Sequence, residues 1–197
     1  VQELNDIREN LKAYYILTND IDLASVTWTP IGSISEKEED TVSFEGNLNG
    51  NNYKIKNLTA KGDMDVFGLF VANSGIIKNI GLTNVNIDIN GFVGAIAVYN
   101  YFGQIENSYA LGGITAPTTD SSSRLGGLVG ANSAKIANSF ASGDVNSPAY
   151  GGGLVGINEY DEVQGEVISS YRYWGQFVIA KYQKNFIGNY VNNADLI

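Results

Sequence analysis

The sequence predicts an all-β fold, a parallel β-helix of about four to six coils with a short capping helix at its N-terminal end. Three observations lead there. Two short phrases recur in fixed order, each copy holds three short apolar segments separated by small or turn-forming residues, and none of the helical patterns required by a βαβ unit lies between them. One turn of chain with three strands and no crossover helix is one coil of a solenoid.

The ends of such a stack are open edges that aggregate unless covered. At the N-terminus Leu4, Ile7 and Leu11 recur at helical spacing within a polar stretch, which predicts a short amphipathic helix laid over the first coil. Tyr15-Ile16-Leu17 and Ile21-Asp22-Leu23 read as the first strands, followed by Trp28-Thr29-Pro30-Ile31-Gly32. The expected layout is one β-helix domain over 1–197, with cap and first strands in 1–32, repeated coils in 33–171, and a C-terminal cap or the start of another coil in 172–197. In that last part Phe177-Val178-Ile179-Ala180 and Phe186-Ile187 are the apolar segments available for packing.

The first repeated phrase is Gly68-Leu69-Phe70-Val71, Gly94-Ala95-Ile96-Ala97, Gly127-Leu128-Val129-Gly130 and Gly153-Leu154-Val155-Gly156. The second is Ile55-Lys56-Asn57, Ile77-Lys78-Asn79, Ile105-Glu106-Asn107 and Ile136-Ala137-Asn138, with a weaker copy at Val167-Ile168-Ser169. Val85, Ile114 and Val145 mark a third segment. The first-phrase glycines at 68, 94, 127 and 153 give steps of 26, 33 and 26 residues. The irregularity resolves into loops: two extra residues near Tyr99-Asn100-Tyr101-Phe102, five within 117–123, and a further bulge of five around 159–165.

Stacked coils place equivalent residues about 4.8 Å apart, so each position meets itself above and below. Ile55, Ile77, Ile105 and Ile136 are expected to stack inward. Lys56, Lys78, Glu106 and Ala137 vary in charge, as solvent-facing positions do. Asn57, Asn79, Asn107 and Asn138 are expected to form an amide ladder at a buried bend. The first-phrase glycines allow the bend between sheets, since no Cβ must be accommodated there.

The Gly-Leu-Val-Gly phrases at Gly127 and Gly153, with the Ile-x-Asn-Ser-aromatic phrases at Ile105 and Ile136, resemble the GLUG repeat. The leading stretch from Leu4 through Tyr15-x-Leu17-Thr18-x-Asp20-Ile21-Asp22-Leu23, Trp28-x-Pro30-Ile31-Gly32 and Phe44-x-Gly46-x-Leu48-Asn49-Gly50-Asn51-x-Tyr53-x-Ile55-x-Asn57-Leu58 resembles the start of such β-helices in bacterial surface proteins. Together the resemblance covers roughly residues 4 to 171. It implies a right-handed helix of the kind found in adhesin-like and fimbria-associated proteins and in the N-terminal region of immunoglobulin A metallopeptidases, hence a secreted or cell-surface location. It brings no shared catalytic residues. The chain departs from the pattern at Gly94-Ala95-Ile96-Ala97 and at Tyr53, where His is common.

Composition narrows the function. With 12 basic and 21 acidic side chains the net charge is -9, and no Lys/Arg cluster offsets it, which excludes nucleic acid as a partner. No apolar run is long enough to insert in a bilayer. The absence of His and Cys excludes Ser-His-Asp and Cys-His catalysis, His-Glu-x-x-His zinc sites, zinc thiolates and disulfides within the chain. No metal site and no cofactor are expected. Calcium is the one candidate ion: Glu36, Glu38, Glu39 and Asp40 surround Lys37, but without the Asp-x-Asp-x-Asp-Gly spacing that preorganises oxygen ligands. A lyase or glycosidase would need paired carboxylates; Asp63 with Asp65, and Asp161 with Glu162, are the available pairs, and both read more simply as solvated charge.

The candidate binding residues are aromatic. Tyr99, Tyr101 and Phe102 occupy one insertion, and Tyr160 occupies the corresponding bulge two coils later, about 10 Å away. Rings on two ridges flanking a flat polar step suit a sugar chain or an extended peptide; the simpler alternative folds them back over exposed core edges. Asn57-Leu58-Thr59 matches a glycosylation acceptor and is assigned to the ladder instead, and Arg124 reads as ordinary surface charge or a carboxylate partner. The expected partners are a host or matrix glycan or protein, or the rest of a larger surface protein. Three functions remain open: an adhesion or ligand-binding module, an accessory domain of a secreted peptidase, and a carbohydrate-active enzyme.

Overall fold

The computed structural model describes residues 1–117, 123–160, 163–168 and 171–173. Three parallel sheets form the walls of a β-solenoid. Sheet A stacks Tyr14–Ile16, Asn47–Asn49, Ile76–Lys78, Gln104–Glu106, Lys135–Ala137 and Glu166–Ile168. Sheet B is built around the long strand Gly81–Gly94, which pairs with Lys54–Lys56 and Thr59–Phe67 on one side and with Tyr109–Thr115 and Arg124–Gly126 on the other. Sheet C stacks Phe70–Asn73, Ala97–Asn100, Val129–Asn132 and Val155–Ile157. The four coils spanning 47–73, 76–100, 104–132 and 135–157 each contribute to all three sheets.

The core is the inside of this tube. Leu48, Ile77, Ile105, Ile136 and Val167 stand in register on sheet A, and all are buried, as stacked apolar rungs require. The predicted lid is present as an α-helical turn, Gln2–Asn5, followed by a 3-10 turn, Asp6–Glu9. It buries Leu4 and Ile7, and Leu11 packs beside them. Trp28 closes the same end, its indole N–H donating to the Gly68 carbonyl at 3.2 Å, while the Arg8 guanidinium lies over its ring and donates to the carbonyls of Thr29 and Pro30. The apolar segments at 177–180 and 186–187 lie outside the described residues.

Register corrects several details of the repeat. The Ile55-Lys56-Asn57 phrase does not stack with Ile77-Lys78-Asn79; Ile55 pairs with Ile21 and Leu82 in sheet B, and the sheet A rung of its coil is Leu48. The third segment runs through Ile87, Ile114 and Val145, with Val85 opposite Gly112 instead. In the second coil the first phrase stands one residue later than the glycines suggest, because Gly94 pairs with Gly126 and Ala97 lies between Phe70 and Val129. The corner after Asn100 therefore gains one residue, not two.

The ladder expected at Asn57, Asn79, Asn107 and Asn138 is also corrected. Asn107 and Asn138 are exposed, and no side-chain hydrogen bond joins Asn79, Asn107 and Asn138 to one another. What these positions share is backbone conformation: Asn79, Asn107 and Asn138 have φ of 55°, 48° and 50°, the left-handed region that asparagine tolerates better than other side chains. Asn57 belongs to a second column of left-handed bends within sheet B. There Asn84 stands beside it on the next coil, and Gly112 and Gly143 continue the bend after a register shift that sets Gly112 opposite Val85. Both columns carry the same local pattern, which is why the phrases look alike in sequence.

A true amide ladder exists where sheet C turns into sheet A. Asn73 Nδ2 donates to Asn100 Oδ1 at 2.8 Å, Asn100 to Asn132 at 2.7 Å and Asn132 to Asn158 at 2.8 Å, and all four residues are buried. The same amides satisfy the turning backbone, as Asn132 Nδ2 does with the Ala134 carbonyl. At the sheet A to sheet B corner the linking groups are hydroxyls. Ser108 Oγ accepts from the Ile80 N–H, Ser139 Oγ accepts from the Ser108 N–H, and each serine donates to the carbonyl two residues before it.

Candidate functional site

The aromatic insertion sits at the corner held by the amide ladder. Asn100 ends its sheet C strand, and the added residue pushes Tyr101 and Phe102 outward before Gly103, where the neighbouring coils have Ser74 and Ser133. The backbone remains tied into the stack by Tyr101 N–H to the Asn73 carbonyl at 3.0 Å and Gln104 N–H to the Gly75 carbonyl at 2.8 Å. Phe102 is 72% exposed and Tyr101 is half-buried, whereas Tyr99 is only 3% exposed.

Tyr99 is thus not a free ligand-facing ring. It still belongs to the strand, between Ala72 and Ala131 in register, and forms a small apolar cluster with Val98 and Ala131. Its ring stacks on Tyr101 at 5.5 Å with planes 4° apart and meets Phe92 edge-on at 5.8 Å. Phe102 lies 6.5 Å from Tyr101. Arg124 lies over the Phe92 ring at 4.4 Å and 6.0 Å from the Tyr150 ring. Phe92, Arg124 and Tyr150 stand in register on successive rungs of sheet B, so their alignment is a direct consequence of the stack.

The second predicted ridge falls at the same corner two coils on. Glu159–Tyr160 pairs antiparallel with Val163–Gln164, and beside this pair Asn158 Nδ2 donates to the Gly165 carbonyl at 2.9 Å. The Tyr160 side chain lies outside the described residues, as do Asp161 and Glu162.

The acidic candidates do not converge. Residues 34–41 form a loop closed by the Ser33–Val42 bridge, with Glu36, Glu39 and Asp40 exposed. Asp63 and Asp65 are exposed beside a bulge in the Thr59–Phe67 strand. Among the described residues no three potential metal-ligating side chains cluster. Two carboxylates on the first coils have shifted ionisations. Asp20 is held below the ordinary aspartate value by the Lys56 ammonium, 2.7 Å away, and by the Lys54 N–H. Asp22 is lowered by hydrogen bonds from Asn57 Nδ2 at 2.6 Å and the Ala24 N–H. The Asn57 amide also accepts from Asn84, so it is engaged in the surface of the stack.

Sequence reasoning missed Phe92 and the Asn73 to Asn158 column. The column had a signal, since each Asn follows the inward residue of sheet C by three positions: Phe70, Ala97, Val129 and Val155. Phe92 had none, because its contact with Tyr99 crosses from one sheet to the next.

The GLUG motif matches residues 121–146. A candidate Gly-rich membrane protein of Evansella cellulosilytica is 37% identical over 118 residues, a match covering 53% of this chain and 13% of that protein. In fold, the chain is similar to a candidate immunoglobulin A1 protease from Bacteroides ovatus, with a TM-score of 0.66 and 21% identity over 87% of this chain and 54% of the other. The chain spans about an eighth of the first relative and about half of the second. Among the described residues no helix is long and apolar enough to cross a membrane. In motif and in fold, this chain is a parallel β-solenoid carrying the GLUG motif.

Proposed function

We propose that this chain is a non-catalytic binding module of a secreted or cell-surface bacterial protein, recognising a host or matrix glycan or protein. The observation that carries this reading is the Tyr101-Phe102 insertion. It adds a residue to the corner of its coil and presents an exposed ring on a braced stack. A solenoid corner is a rigid mount, so side chains projecting from it lose little freedom on binding. The Evansella protein, described as a membrane protein, agrees with a surface location. The test is binding of the purified chain to immobilised extracellular-matrix proteins and a glycan array. Signal reduced by the Tyr101→Ala/Phe102→Ala double variant supports the module; no binding to either class rejects it.

A second reading makes the chain an accessory domain that positions substrate for a metallopeptidase domain. The fold match to the Bacteroides ovatus chain, only 54% of which is covered, favours it. This reading requires a peptidase domain in the same polypeptide, and its loss of substrate turnover when the solenoid is deleted is the measurement that checks it.

A further inference from the structure

We infer that the corner formed by Tyr101 and Phe102, braced by Tyr99 and Phe92, binds the apolar face of a neutral oligosaccharide. The inference rests on the binding-module reading and assigns its ligand class. Four rings run in unbroken contact from sheet B to the corner: Phe92 to Tyr99 at 5.8 Å, Tyr99 to Tyr101 at 5.5 Å and Tyr101 to Phe102 at 6.5 Å. The inner two are fixed by the small cluster with Val98 and Ala131. Tyr101 is held against Tyr99, and Phe102 beside it leaves most of its surface to water.

The chemistry around these rings selects the ligand. An extended peptide that adds a strand needs a run of unpaired backbone, and four N–H groups about this corner are already committed. Tyr101 N–H goes to Asn73, Gln104 N–H to Gly75, Ser133 N–H to Asn100 and Lys135 N–H to Gly103. What the corner offers is ring faces, which suit the C–H face of a sugar ring.

Glu106 and Lys135 neutralise each other across 3.2 Å, the Arg124 guanidinium lies over the Phe92 ring, and the whole chain carries a net charge of -9. The net charge disfavours acidic glycans.

The experiment is calorimetric titration of the whole chain with xylo-, manno-, galacto- and cello-hexaose, with hyaluronan and heparan sulfate as acidic probes and fibronectin and collagen as protein probes. Binding of at least one neutral hexaose is expected, insensitive to salt, and weakened about tenfold or more by Phe102→Ala and by Tyr101→Ala. Phe102 is exposed, so the thermal midpoint of its variant should match the wild type, separating lost contact from lost fold. Absence of binding to every neutral probe overturns the inference. So does salt-sensitive binding confined to the acidic probes, or hexaose binding that survives both substitutions. Fibronectin or collagen binding lost in both variants overturns the sugar assignment while leaving the binding-module reading in place, whereas no binding to any probe removes both.

Discussion

Asn132 touches two rungs at once: its Oδ1 accepts from Asn100 and its Nδ2 donates to Asn158. Asn132→Ala strands a buried donor above and a buried acceptor below, each costing about 1–3 kcal/mol. A chemical-denaturation midpoint well below wild type is expected, larger than for the same change at exposed Asn107. Asn138 tests a different role. It is exposed with φ of 50°, so Asn138→Gly should shift stability by only a few tenths of a kcal/mol, while Asn138→Val should cost about 1–3 kcal/mol by straining the backbone. Equal damage from Gly and Val would mean that the side chain, not the conformation, matters there. Gly127 is fixed by space: an added Cβ would strike the Gly153 carbonyl oxygen and crowd the Ala141 methyl, so Gly127→Ala should cost about 1–3 kcal/mol in the same assay.

At the scale of elements, the first rungs of sheet B are pinned by polar contacts between neighbouring coils. Asp20 bridges Lys56, and Asp22 anchors the line that runs through Asn57 to Asn84. Both carboxylates titrate below the ordinary aspartate value in the fold. Their contribution is therefore present above that value and lost as pH falls through the lowered one. Lys56 is raised by Asp20, so its share is present below the ordinary lysine value and lost as pH rises through the raised one. These groups are exposed, and the effect is small. An Asp20→Asn/Asp22→Asn variant should melt slightly below wild type at neutral pH, with the gap closing on acidification. A gap that stays constant down to strongly acid pH would show that ionisation of these carboxylates contributes nothing.

The whole molecule depends on how its stack begins. Leu4 and Ile7 cover the first rung, leaving a cleft of about 220 Å³ bordered by Glu3, Ile16 and Leu17. Tyr14 and Ile16 remain exposed on the outermost strand of sheet A. Deleting residues 1–11 would uncover an apolar rung with a free strand edge. Concentration-dependent self-association is then expected by light scattering, and a deletion that stays monomeric would show that the lid is dispensable.

How much of this was legible beforehand depends on range. Alternation, small turn residues and the repeated phrases determined a parallel β-solenoid of stacked coils, the N-terminal lid and the positions of the insertions, because each of these is written in neighbouring residues. The sequence also located the corner aromatics, but it could not tell Tyr99, held in the strand, from Phe102, free at the corner, since a single residue separates buried from exposed in an extended chain. Which asparagines hydrogen-bond to one another, and which merely bend the chain, was decided only by the register of one coil on the next. The Phe92 to Tyr99 contact was decided by the angle between two sheets. Local pattern sets what each segment is; the stacking of coils sets whom each side chain meets.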